Sequence, residues 1–255
     1  MKVVINPDFI AFKDFLDSLP ELFDKKGKSI YKARNEIKVF EIHGMLLNVK
    51  SYKKPIFLNR IAYTFFRKSK ACRAYENALR VLSLGIDTPA PVCYIEIYSG
   101  GLLERSFFIS VHCLYTRNFR EFANNSDLAG REAIPEALGH YVARMHKAGI
   151  LHKDLSIGNI LFEADSDKVD FSLVDLNRMD FCKVDKKTGC RNFERLRGNS
   201  DFFRLLSNAY SEDMGYDQKR CLETIMKFNE KSVRFFRRKS ERKKRLRAAK
   251  TGQRK

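Results

Sequence analysis

The sequence predicts an α+β protein of two lobes, and three observations predict it. Strand-like runs crowd the N-terminal part of the chain, helical periodicity takes over from about Tyr115, and the last stretch is almost purely basic. The divisions expected are therefore residues 1–114, a sheet-rich lobe; residues 115–236, a mainly helical lobe; and a basic tail over residues 237–255.

In the first lobe, Phe9 to Leu22 mixes apolar and acidic residues at roughly helical spacing and ends in the polar, glycine-containing DKKGK. Three short β-forming runs follow, SIYKA, EIKVFEI and MLLNVKSY, with breaks at RN and HG that suit tight turns, so residues 29–52 read as an antiparallel meander. From Lys70 to Leu84 the period changes: Tyr75, Ala78, Leu79 and Leu82 recur at helical spacing, and Gly85 stands where a helix cap belongs. VCYIEIY and LLERSFFISVHCLY, joined by SGG, complete a five-stranded antiparallel sheet with one helix inserted. In the second lobe Ile134, Leu138, Tyr141, Val142 and Met145 mark a long helix running to Gly149. Short strand-like runs, ILHKDL, NILFE and FSLVDL, come next, then helices over Asp201 to Tyr210 and Gln218 to Phe236. Two lobes of such different character imply a cleft between them.

Composition narrows the partners. The net charge of +18 favours a polyanionic neighbour: nucleic acid, an anionic membrane or a phosphorylated glycolipid. Thirteen basic residues and one acid, Glu241, lie between Lys231 and Lys255, so the tail alone supplies +12 of that charge. The six cysteines form no CxxC pair and read as free thiols of a reducing compartment, with Cys182 and Cys190 as unrelated loop cysteines rather than metal ligands. No apolar run has the length of a secretory signal or a membrane span, which suggests a soluble or peripheral protein of the cytoplasm.

The chemistry is concentrated in GILHKDLSIGNILFE, residues 149–163, and FSLVDLN, residues 171–177. His152, Asp154 and Asn159 form H-x-D-x-x-x-x-N, and Asp175 ends an apolar run sixteen residues after Asn159. Phosphoryl transfer asks little covalent chemistry of a protein, but it needs a positioned metal and a carboxylate near the attacking hydroxyl. Asp154 suits the second task. Asn159 and Asp175 offer hard oxygen ligands for a Mg²⁺ ion bridging phosphates.

This ordered set resembles the protein-kinase-like superfamily, whose catalytic loop reads H-R-D-x-x-x-x-N and whose metal motif reads D-F-G. The resemblance implies further residues. Lys50, at the end of LLNVKSY, matches the lysine that contacts the α- and β-phosphates of ATP, and Glu76, in RAYENALRVL, is the expected partner that holds it. Departures are equally informative. No G-x-G-x-x-G loop is present; Gly27 is the one glycine at hand, and phosphate cradling falls to backbone amides with Lys28 or Lys32. Lys153 replaces the loop arginine, DLN replaces D-F-G and no A-P-E follows, which speaks against a regulated protein kinase.

At finer grain, IYKARNEIKVFEIHGMLLNVKSYK, RAYENALRVLSLGIDTPAPV, ALGHYVARMHKAGILHKDLSIGNILF and SLVDLNRM are similar to the lipopolysaccharide core kinases, the Kdo and heptose kinase family, over most of residues 29–179. The resemblance implies an ATP- and Mg²⁺-dependent enzyme, peripheral on the cytoplasmic face of an inner membrane. Its acceptor would be a Kdo or heptose hydroxyl of the lipid A–core glycolipid, with Asp154, His152, Lys50 and Glu76 catalytic and Asn159 and Asp175 on the metal. A basic tail fits an anionic lipid surface, where each Lys or Arg contributes about 1 kcal/mol, and Phe235 and Phe236 favour that surface over nucleic acid. Two other readings stay open: a kinase of the same fold acting on protein Ser/Thr or a small molecule, and a non-catalytic binding protein on a kinase fold.

Overall fold

The computed structural model describes residues 1–125, 127–165 and 168–252, with side chains through residue 245. The chain forms two compact units: Met1–Thr116 together with Ser172–Met179, and residues 117–171 together with the chain from Asp180 onward.

The first unit is built on a six-stranded antiparallel sheet. Its strands are β1 (Lys2–Ile5), β2 (Lys28–Lys32), β3 (Glu36–Ile42), β4 (Met45–Tyr52), β5 (Pro91–Ser99) and β6 (Leu102–Val111), in the order β1-β5-β6-β4-β3-β2. A 3-10 turn (Pro7–Phe12) leads into α1 (Lys13–Leu22); α2 (Phe57–Ile61), a π-helical turn (Ala62–Phe66) and α3 (Lys70–Ser83) follow β4. The meander and the final hairpin lie where the sequence places them. The sixth strand, β1, corrects the expected five. Its four residues carry no turn or alternation signal, and it becomes a strand by pairing with β5, Val4 opposite Tyr94, a partner ninety residues away. The unit also holds more than the one helix expected.

Strict alternation sends the two faces of this sheet to different partners. Phe40, Leu47, Val49, Phe107 and Ile109 pack against Leu16, Leu19 and Phe23 on one face. On the other, Tyr52 and Tyr94 meet Ala71, Cys72 and Tyr75 of α3. Each fully buried side chain of this size contributes roughly 1.5–3 kcal/mol. Ser69 caps α3 by accepting from Cys72 N (3.1 Å), and Gly85, with φ +72°, ends it as expected.

The second unit comprises β7 (Arg117–Asn118), α4 (Arg120–Asn124), α5 (Ala133–Lys147), β8 (Ile150–His152), β9 (Ile160–Ala164), β10 (Val169–Leu173), β11 (Met179–Phe181), α6 (Lys186–Asn192), a 3-10 turn (Phe193–Arg195), α7 (Ser200–Met214) and α8 (Gln218–Gly252). The chain leaves this unit within β10 and returns within β11. Helices α5 and α7 approach so closely at Gly139 that a Cβ there would strike the Leu206 carbonyl. The expected boundaries at 114 and 236 both move. Ser172–Met179 joins the first unit because its backbone is bonded there: Leu173 N donates to Asp87 O (3.0 Å) and Thr88 Oγ1 to Leu173 O (2.7 Å). The tail is no separate segment, since α8 runs without a break through residue 237. Arg247, Lys250, Arg254 and Lys255 lie outside the described side chains.

His146, buried on α5, bridges this unit's core: Nε2 donates to Asn192 Oδ1 (3.1 Å) and Nδ1 accepts from Tyr210 Oη (2.9 Å). Burial pushes its pKa down to about 4. Below the unfolded value of about 6.5, the unfolded chain binds a proton that the folded chain refuses, so stability is lost as pH falls from 6.5 toward 4. The expected loss is about 3 kcal/mol across that window. Urea midpoints measured down the pH scale check it, and His146→Gln should flatten this part of the slope.

Candidate active site

In β4, Leu47, Val49 and Ser51 face α1, which leaves Asn48, Lys50 and Tyr52 on the opposite face. Lys50 is only 12% exposed, and its Nζ lies 2.6 Å from Asp175 Oδ1 and 5.3 Å from the centre of the Tyr52 ring. A buried ammonium needs such a partner. That partner is Asp175 and not Glu76. Glu76 is half-buried and takes Lys68 at 2.6 and 2.8 Å. The reason is helical phase: α3 buries Ala71, Cys72, Ala74, Tyr75, Ala78 and Val81, and Glu76 stands a hundred degrees beyond Tyr75. The next residue, Asn77, does reach the functional segment, donating to Leu176 O (2.6 Å).

Asp175 sits in the left-handed region at φ +62°, rare for a residue other than glycine and a mark of backbone held for a purpose. Leu173 and Leu176 are tied on either side of it, and Asn177 donates its amide to the Asp175 carboxylate. Cations surround the group. Burial lowers the Lys70 pKa, and the neighbouring Arg34, Arg178 and Arg73 lower it further, while Asp175 acts the other way. Arg73 is likewise pulled down by burial and by Arg67. Cations crowded against one another around one carboxylate are what a triphosphate would relieve.

The residues expected to cradle phosphate fare differently. Lys32 pairs with Glu36 (3.5 Å) and lies opposite it across β2 and β3, on the α1 side of the sheet, away from the face of Lys50. Lys28 aligns through Val39 with Asn48, on the Lys50 face, but is exposed. Gly27 serves packing: its φ is +85°, and a Cβ would collide with the Phe40 ring. Arg34, in the β2–β3 turn, lies with Arg73 and Arg178 in the cation group around Lys70 and Asp175. A chain with 49 basic residues gave no local signal for these four.

In the second unit the loop after β8 gathers His152, Asp154 and Asn159. His152 is fully buried; its Nδ1 accepts from Asp154 N (3.1 Å), and its carbonyl accepts from Asn192 Nδ2 (2.9 Å). His152 therefore holds the loop's shape. Asn159 Nδ2 donates to Asp154 O (2.8 Å), which fixes the carboxamide and leaves Oδ1 as its acceptor atom. Lys153 pairs with Asp180 (2.9 Å). Arg195, from the 3-10 turn, forms an ion pair with the Asp154 carboxylate. Helix α8 supports that turn: Asn229 Nδ2 donates to Leu196 O (2.8 Å), and the Phe236 ring lies 5.4 Å from the Arg195 guanidinium. Sequence reading missed Arg195, for its turn carries no motif.

The donors present suit Mg²⁺ with ATP. Magnesium is commonly held by one or two side-chain oxygens together with substrate phosphates, and no group of three or more His, Cys, Asp or Glu able to hold a metal occurs among the described residues.

An α+β chain with a strand lysine on an Asp after a short strand, and an H-x-D-x-x-x-x-N loop, has the protein-kinase-like fold. The model of the lipopolysaccharide kinase (Kdo/WaaP) family matches residues 27–214, and the chain belongs to that family. The match runs past the 29–179 expected and takes in Arg195. Among solved structures, WaaP in complex with acyl carrier protein superposes with a TM-score of 0.63 at 18% identity, covering 92% of this chain and 99% of that one. Similar relatives are 3-deoxy-D-manno-octulosonic acid kinases. Those of Xanthomonas oryzae pv. oryzae (strain PXO99A) and Xanthomonas euvesicatoria pv. vesicatoria (strain 85-10) are 32% identical over 137 residues and 35% over 140. Each alignment covers 54% of this chain and 51% of the relative, so the chain spans about half the length of the curated relatives it matches.

Proposed function

We propose that this protein is an ATP- and Mg²⁺-dependent kinase that phosphorylates a sugar hydroxyl, of Kdo or heptose, on the lipid A–core glycolipid. The observation that carries the reading is the Lys50–Asp175 pair at 2.6 Å, set among Lys70, Arg73 and Arg178. Asp175 and Asn159 each offer a hard oxygen to the metal, which when bound would neutralise charge on the phosphates. Lys50 and its neighbouring cations bind and orient the nucleotide's phosphates. Asp154 accepts a hydrogen bond from the acceptor hydroxyl, aligns it and takes its proton, and Arg195 fixes the carboxylate for that task. The relatives named as Kdo kinases support Kdo as the sugar.

The same proposal places the protein in the cytoplasm, peripheral on the inner membrane, with the basic end of α8 on the anionic surface. No helix among the described residues is long and apolar enough to cross a membrane. The test gives purified protein ATP and Mg²⁺ with extracted lipid A–core beside generic protein substrates. Label is expected in the glycolipid; label in protein alone would defeat the assignment.

A further inference from the structure

The link between β4 and α3 is built inside out. Residues 53–70 read KKPIFLNRIAYTFFRKSK, with six basic residues and no acidic one. Within it, α2 and the π-helical turn make ten continuous helical residues, and Arg60 and Thr64 among them face the protein. Arg60 Nε donates to Leu103 O (2.9 Å), and its guanidinium pairs with Glu104 (3.0 Å). Thr64, one turn later, donates to Arg60 O (2.7 Å) and accepts from Leu103 N (3.0 Å). The segment is thus fastened to the β5–β6 hairpin by hydrogen bonds and an ion pair.

Its large apolar side chains point the other way. Ile56, Phe57, Leu58, Phe65 and Phe66 are 64–84% exposed. Apolar surface normally drives burial, so five such residues within eleven positions, held outward by a polar underside, mark a face made for a partner. Charge identifies the partner. Lys54 and Arg60 pair with Glu104, and Lys68 with Glu76, yet the exposed Lys53 and Arg67 remain in excess beside the apolar residues. Large apolar side chains ringed by lysine and arginine suit the boundary between acyl chains and anionic headgroups. A second copy of this chain would bring the same positive charge against itself, which disfavours self-association.

We propose that residues 53–70 are a lipid-insertion element that docks the protein on an anionic bilayer through Ile56, Phe57, Leu58, Phe65 and Phe66. Its purpose rests on the membrane-borne acceptor proposed above; its test needs no acceptor. Full-length protein is sedimented with phosphatidylcholine vesicles and with vesicles that also contain phosphatidylglycerol. Binding is expected to the anionic vesicles, and Phe57→Ser/Phe66→Ser should weaken it at least ~10-fold. Because both rings are exposed, the variant should keep the wild-type thermal midpoint and bind MgATP as the wild type does. Equal vesicle binding by variant and wild type would overturn the proposal, as would wild type that ignores anionic vesicles or uses this face to dimerise. A protein that binds vesicles through these residues but leaves lipid A–core unlabelled keeps the insertion element and loses the acceptor reading.

Discussion

Replacing Asp154 by Asn should lower phosphate transfer at least ~100-fold while ATP binding survives, because the substitution removes a proton acceptor and leaves the loop's frame in place. That frame does not depend on the carboxylate. His152 Nδ1 accepts from the backbone amide of residue 154, and Asn159 Nδ2 donates to its carbonyl, and both bonds persist with an asparagine there. The side chain itself meets Arg195. A carboxamide can still accept from that guanidinium, so the fold should be kept and the loss should fall on turnover. Single-turnover transfer measured beside nucleotide affinity separates the two. Transfer near the wild-type rate would remove Asp154 from its role.

The second large effect is expected at the Lys50–Asp175 pair. Asp175→Asn is the informative change, since asparagine tolerates the left-handed backbone at φ +62° where most residues would add strain. It keeps the shape and removes the charge. Transfer should fall at least ~100-fold, with the Mg²⁺ concentration needed for activity shifted upward. Lys50→Met keeps the apolar stem beside Tyr52 and removes the ammonium, so its loss should appear first in nucleotide affinity. Neither side chain is fully buried, and both variants should stay folded by circular dichroism.

The family and the H-x-D-x-x-x-x-N loop were legible in the sequence because their signals are local. The spacing of His152, Asp154 and Asn159 lies within eight residues, Lys50 lies near the end of an apolar strand and Asp175 just after one. Glu76 was misplaced by a single helical step, which no count of acids along α3 can correct without knowing which face packs against Tyr94. Lys32 lies on the α1 face of the sheet for the matching reason in a strand, where a one-residue change of phase moves a side chain to the other face. Strand β1 needed a partner far along the chain. Arg195 and the cations around Asp175 are placed by tertiary contacts alone, as are the outward rings of Phe57 and Phe66.

The most direct test is a calorimetric titration of ATP into the full chain, with and without Mg²⁺, for wild type, Lys50→Met and Asp175→Asn. Saturable one-site binding that requires Mg²⁺, weakened by Lys50→Met and shifted to higher Mg²⁺ concentration by Asp175→Asn, is the predicted result. Absence of measurable binding by the wild type, or identical isotherms for all three proteins, would contradict a nucleotide site on this pair.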